Sequence, residues 1–333
     1  MKKVIAGIQP SNNITLGNYL GAIKELINLQ NNNEILVFIA DLHAITTNNL
    51  ITKKFLEYKI DLAKTLIACG FDINKNIIFT QSDVSEHTEL GYILACNTTL
   101  GELNRMTQFK DKSSKAKADN NTEYIPTGLL IYPTLMAADI LLYQSDIVVV
   151  GNDQTQHLEL TKNIAVRINN KFKKEIFKIP SPCENTINIR IMDLVNPEIK
   201  MSKSNDSKGT ILISDSENDI KKKIKTSLTD NFNKVKFDIV NQKGISNLMN
   251  IYKYITNKSI EEIEEEFKDI ENYGIFKTKV SDVVCDFIMD IQNKKNNITD
   301  QEIIEILSIG KNKAKKIAKE NMNVFLKEMN LKW

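Results

Sequence analysis

Four short runs in the first 160 residues are apolar without alternation: Lys3–Ile8, Ile35–Ala40, Ile77–Thr80 and Ile147–Val150. Continuous apolar runs suit strands covered on both faces, as in parallel sheets. Between them Tyr19, Leu20, Ile23, Leu26 and Ile27 return at helical spacing, and so do Phe55, Ile60, Ala63 and Leu66. This alternation predicts an α/β fold, a Rossmann-like parallel sheet flanked by helices. Residues 84–145 read mainly as a helical insertion. The polar stretch Lys110 to Asn121 interrupts it and, with too little apolar content to pack, is expected to be a mobile loop. After about residue 205 the strands fade. Segments 217–228, 244–256, 259–268, 276–294 and 300–331 read as helices, with caps at Ser281-Asp282 and Thr299-Asp300. The expected organisation is an α/β domain over 1–210 and an all-helical domain over 211–333, its last helix free to pack back on the first domain.

The length of 333 residues agrees with two domains. With 44 Lys and Arg against 42 Asp and Glu, a net charge of +2 excludes a globally basic nucleic-acid coat and leaves room for a local basic face. No apolar run reaches the ~18 residues of a membrane span. A strand beginning by residue 4 is expected to leave no room for a signal peptide. Four cysteines, Cys69, Cys96, Cys183 and Cys285, lie far apart with no CxxC pair, against both a zinc site and a disulfide framework. These features describe a reduced, cytoplasmic protein with no membrane partner.

Ligands of open parallel sheets bind beyond the carboxyl ends of the strands. Three strand ends here carry polar groups: Gly7-Ile8-Gln9-Pro10-Ser11, Asp41-Leu42-His43 and Gly151-Asn152-Asp153-Gln154. Each alone is as well an ordinary turn. Thr15-Leu16-Gly17-Asn18 then opens a helix, whose free N–H groups can hold phosphate, although a plain capped helix reads the same way. Neither GxxxxGK[ST] nor GxGxxG occurs, so no P-loop or standard dinucleotide fold is indicated. Lys200-Met201-Ser202-Lys203-Ser204 sets two lysines three residues apart, able to neutralise pyrophosphate charge or merely to form a solvated linker. From Pro133 onward, positions 132, 136, 139, 140 and 143 share one helical face, which sets the Asp139 carboxylate among Tyr132, Met136, Ile140 and Tyr143. A buried carboxylate needs a donor, either a ligand N–H or a structural Arg or Tyr.

Taken together these residues resemble the bacterial-type tryptophanyl-tRNA synthetases, class I aminoacyl-tRNA synthetases, over almost the whole chain. Gly7–Ser11 with Thr15–Asn18 resembles the family's form of the first class signature, and Lys200–Ser204 is the second, letter for letter. Asp41–Thr46, Gly101–Lys110, Met136–Leu141, Gly151–Gln154 and Gly244–Leu248 resemble further family stretches. Leu42, Asn152 and Asn205 depart from the family's usual Gln, Glu and Asp.

The resemblance implies that L-tryptophan and ATP form tryptophanyl-adenylate and pyrophosphate, and that the tryptophanyl group then passes to tRNA(Trp). Gln9, Pro10, Ser11, Gly17 and Asn18 are implied to hold ATP, with Gly151, Asn152 and Asp153 near the ribose and Ile191 near adenine. The loop Lys200, Met201, Ser202, Lys203, Ser204 is implied to close over the phosphates. Lys200 and Lys203 stabilise the transition state, aided by Ser202, Thr15 and Asn18, with Mg²⁺ carried on the phosphates. Asp139 accepts the indole N–H, Met136, Ile140, Val148 and His43 wall the ring, and Tyr132 and Gln154 bind the amino-acid backbone groups. Lys110 and Lys112 reach the triphosphate or are plain surface lysines. His87 is expected to be a polar group at a helix start, and His157 a helix-surface or interface residue. The helical half is implied to bind the anticodon, with basic stretches Lys221 to Lys225 and Lys311 to Lys316. A homodimer through residues 84–109 completes the expectation, with no DNA partner. The competing readings are a tyrosyl-tRNA synthetase, a pantothenate-synthetase-like ligase and a non-enzymatic RNA-binding module.

Overall fold

The computed structural model describes residues 1–10, 14–47, 54–113, 125–183, 189–202, 207–270 and 272–333. By packing, the chain divides into two compact units: Met1–Ser11, Leu26–Thr186 and Thr299–Trp333 form one, and Asn12–Glu25 with Ile187–Ile298 the other. The division therefore does not fall at a single point near residue 210. Among the described residues no helix is long and apolar enough to cross a membrane.

The first unit is built on a five-stranded, all-parallel sheet of order β3-β2-β1-β4-β5, with β1 Lys2–Ile8, β2 Asn33–Ile39, β3 Ile77–Thr80, β4 Ile147–Val148 and β5 Ser181–Pro182. Val4 to Ala6 of β1, Ile35 to Ile39 of β2 and all of β3 are buried, as continuous apolar runs require. β2 pairs with one side of β1 from Lys2↔Asn33 to Ile8↔Ile39, and β4 pairs with the other at Val4↔Ile147. The strand order thus reverses at β1, which makes its carboxyl end a topological switch point where ligands characteristically bind. The fourth strand is shorter than its apolar run, ending at Val148, and β5 was not expected, since its Ser-Pro pair carries no apolar signal.

Helix Asp300–Glu328 covers the β3 edge. Ile303, Leu307, Gly310, Ala314, Ala318 and Phe325 form its buried stripe. At Gly310 the approach is so close that an added Cβ would lie 1.8 Å from the Ile78 carbonyl oxygen. The helix begins as expected at Thr299, in a capping box with Glu302. The polar stretch departs from expectation in its first residues: Lys110 to Ser113 end the helix Thr107–Ser113, and the rest of it, up to residue 121, lies outside the described residues.

In the second unit Thr15 caps a helical turn, Leu16–Asn18, which runs into a π-helical stretch, Tyr19–Ile23. Such π-turns occur often at functional sites. Helices Glu217–Lys225, Lys243–Thr256, Ile260–Glu266 and Tyr273–Asn296 follow. The cap expected at Ser281-Asp282 is not one. Asn272 caps that helix by accepting from the Gly274 N–H, and Ser281 sits two turns inside.

Candidate active site

Beyond the carboxyl ends of β1, β2 and β4 the sheet unit encloses a cavity of about 660 Å³. Gly7 and Gln9 from β1, Ala40 and His43 after β2, and Val148 and Val150 at β4 form its floor. Gly7 is needed there, because Phe38 lies over it and a Cβ would meet the ring at 2.4 Å. Helix Thr127–Leu141 supplies Tyr132, Met136, Asp139 and Ile140 from the face its spacing predicted. Asp153 and Gln154 close one side, and Gln108 and Lys112 of helix Thr107–Ser113 another.

Asp139 is fully buried. His87 Nδ1 lies 2.6 Å from Oδ1, His43 Nε2 2.7 Å from Oδ2, and Gln81 Nε2 spans both oxygens at 2.8 and 2.9 Å. Burial alone would raise its pKa, but the two imidazoles, His43 foremost, hold it down at about 2. Its donors are thus two histidines and a glutamine, rather than the Arg or Tyr considered from sequence. His87 does more than mark a helix start: its Nε2 also lies 2.8 Å from the Tyr143 hydroxyl, and the ring is completely buried. Gln81, which sequence reading missed, accepts the Leu42 N–H at 3.2 Å while holding Asp139. Asp41 is buried away from the cavity, paired with Lys59 at 2.6 Å and accepting the Ser82 N–H, so it anchors the turn that presents His43.

At the other end, Tyr132 Oη lies 2.8 Å from His157 Nε2, and His157 Nδ1 lies 2.8 Å from Gln154 Oε1. Gln154 and Gln108 both donate to Asp153 Oδ2, at 2.7 and 2.8 Å. His157 is 1% exposed, which overturns its expected place on a helix surface. Burial, only partly opposed by Asp153, lowers its pKa to about 4, so the ring is neutral at neutral pH. Burial and the Asp153 charge raise that of Tyr132. The Lys112 ammonium stands 5.6 Å above the Tyr132 ring, with its pKa lowered by desolvation. Lys110 is exposed and does not line the cavity.

In the second unit the two signature segments meet. A Cβ on Gly17 would lie 3.4 Å from Met201 Cβ and 3.6 Å from Ile191 Cβ. The Met201 N–H donates to the Ile191 carbonyl at 2.9 Å, and Lys200 bridges to Met192. Ile191 and Met201 are buried, Lys200 is exposed and Ser202 is half-buried. Thr15 and Asn18 cap each other: the Asn18 N–H donates to Thr15 Oγ1 at 3.0 Å, and that hydroxyl donates to Asn18 Oδ1 at 2.8 Å. In the sheet unit Gln9, Gly151 and Asp153 are exposed and Pro10 is buried. Ser11, Lys203, Ser204, Asn205 and the side chain of Asn152 lie outside the described residues.

The family model described as "tRNA synthetases class I (W and Y)" matches residues 1–288. The chain belongs to that family, the class I tRNA synthetases of the tryptophan and tyrosine branch. The tryptophan–tRNA ligase of Malacoplasma penetrans is 52% identical over 332 residues, 99% of this chain and 96% of its own. A crystal structure of tryptophanyl-tRNA synthetase from Mycoplasma pneumoniae superposes with a TM-score of 0.90 at 39% identity, covering 99% of this chain and 98% of that one. The Campylobacter jejuni enzyme, complexed with ADP and tryptophan, gives 0.82 at 34% identity over 98% and 99%. Within the branch the chain is therefore a ligase of the bacterial tryptophanyl type, as the resemblance implied, and the tyrosyl, pantothenate-synthetase-like and non-enzymatic readings fall away.

Proposed function

We infer that this chain activates L-tryptophan with ATP to tryptophanyl-adenylate and pyrophosphate, then transfers the tryptophanyl group to the 3′ end of tRNA(Trp). Asp139 carries the amino-acid assignment. It is an anion kept ionised at the edge of a cavity whose neighbouring wall is Met136, Ile140 and Val148. The two imidazoles and Gln81 make four contacts to its two oxygens, so an indole N–H takes the place of one of these donors. A buried polar partner of this kind discriminates by ~10⁴–10⁵ against side chains that leave it unpaired.

The substrate carboxylate is already ionised at neutral pH, so its attack on the α-phosphate needs no base from the protein. The chain aligns the reactants and stabilises phosphate charge. Tyr132 and Gln154 take the amino-acid backbone groups, with His43 beside the ring. ATP falls to Gln9, Pro10, Ser11, Gly17 and Asn18, with Gly151, Asn152 and Asp153 at the ribose and Ile191 at adenine. Lys200 and Lys203 neutralise the leaving pyrophosphate, with Met201, Ser202, Ser204 and Thr15 shaping the same signatures. Mg²⁺ would be carried on the ATP phosphates, where it shields their charge.

The helical segments between 217 and 296 are assigned to the anticodon. Exposed Tyr92, Leu100 and Ile131 support a homodimer contact near residues 84–109, and a cytoplasmic setting fits this chemistry. The deciding measurement is ATP–pyrophosphate exchange with each of the twenty amino acids supplied singly. Exchange with tryptophan alone is expected; exchange with tyrosine would overturn the role of Asp139.

A further inference from the structure

His157 does not line the cavity, yet it touches two residues that do. Gln154 turns its Nε2 to Asp153 Oδ2, so the end facing the imidazole is the amide oxygen. An amide oxygen only accepts, which puts the ring hydrogen on Nδ1. In the neutral ring Nε2 is then an acceptor, and the hydroxyl donating to it at 2.8 Å is that of Tyr132.

A phenol has one hydrogen. With that hydrogen committed to His157, the Tyr132 oxygen offers only lone pairs elsewhere. Gln108 meets the same condition from the other side: its Nε2 donates to Asp153, so its Oε1, 3.3 Å from Tyr132 Oη, is also an acceptor. Two acceptor oxygens side by side, with the Asp153 carboxylate next to them, form a place for a cationic donor. The Lys112 ammonium is directed over the face of the Tyr132 ring.

We propose that His157 is a positioning residue that fixes the hydrogen-bond polarity of Tyr132 and Gln154, making the phenol oxygen an acceptor for the α-ammonium of the amino acid. This rests on the assignment of Tyr132 and Gln154 to the substrate's backbone groups. Without the imidazole the phenol rotates its hydrogen toward Gln108 Oε1 or into the cavity, where it opposes an ammonium. The Gln154 amide also loses the donor that holds its orientation.

The test compares tryptophan with indole-3-propionate, which keeps the indole and carboxylate and lacks the ammonium, in pyrophosphate exchange by the full chain. The readout is the ratio of the inhibition constant for indole-3-propionate to the KM for tryptophan. His157→Phe is expected to raise the tryptophan KM and narrow the ratio about tenfold, as loss of one buried hydrogen bond implies, with the ATP KM within about twofold. His157→Gln, whose amide oxygen can take the phenol hydrogen, is expected to restore the ratio to within about threefold of the parent. Should His157→Phe fail to fold, His157→Asn serves, since its amide keeps a donor for Gln154 and has no acceptor within reach of Tyr132. A merely structural histidine would lower the active fraction and leave the ratio where it was. An unmoved ratio in the folded variants overturns the proposal. A parent chain without tryptophan-dependent exchange overturns the functional reading beneath it.

Discussion

At one end of the cavity two imidazoles and an amide converge on a carboxylate, Asp139; at the other a single imidazole, His157, lies between a phenol and an amide. The first end concentrates donors around an anion whose pKa is held at about 2. The second strips charge from a histidine, whose pKa falls to about 4. At the second end the ring is held between a phenol and an amide, and burial disfavours its charged form more than the Asp153 charge favours it. The two ends therefore suit opposite parts of an amino acid. The Asp139 end is an acceptor for one N–H on an aromatic ring. The His157 end orients neutral groups around a backbone.

Removing the anion breaks the comparison most severely. Asp139→Ala is expected to lower kcat/KM for tryptophan by on the order of 10³ or more while leaving the ATP KM almost unmoved. Steady-state exchange with each substrate varied in turn decides it, and equal losses for both would sink the assignment of Asp139.

The next effect is one of stability against pH. The unfolded chain protonates His157 near 6.5, whereas the native ring resists until about 4. Its stabilisation is therefore complete above pH 6.5 and is lost as pH falls through that window, by about 3 kcal/mol in all. Urea unfolding between pH 7 and 4 should show a shallower slope in His157→Gln than in the parent by about one proton's worth. Asp139 acts lower on the scale, with stabilisation present above about pH 3.8 and lost on the way to about 2.

The smallest effect sharpens the electrostatics. The Lys112 charge lowers the His157 pKa, so Lys112→Met should raise it, by less than about one unit. An NMR titration of the His157 ring would reveal the shift, and a downward move would contradict the arrangement.

Much of the sheet was legible in the chain because β1, β2 and β3 are bare apolar runs, and such runs have few other uses in an α/β order. β5 was illegible for the same reason: only two exposed residues, Ser181 and Pro182, pair beside β4, and they form no apolar run. The sequence reading put His157 on a helix without giving that helix bounds; the stripe Leu158, Thr161, Ile164, Ala165 and Ile168 of Thr155–Phe172 would have put His157 on its buried face. The cavity-lining face of helix Thr127–Leu141 could be placed from spacing alone. What holds Asp139 could not, since Gln81 and His87 reach it from 58 and 52 residues away and no local pattern encodes that approach. The second signature was read from its letters, whereas the contact between Gly17, Ile191 and Met201 needed the folded unit.

The seating of Gly310 against the carbonyl of Ile78 bears on how the molecule is made. On the ribosome, β3 emerges more than 200 residues before the helix that shields its edge, counting from Thr80 to Asp300. For that interval the nascent sheet carries an unprotected strand, with its backbone donors and acceptors open to a neighbour. Only once the last helix has emerged can Gly310 seat against Ile78 and close that edge against a neighbouring chain.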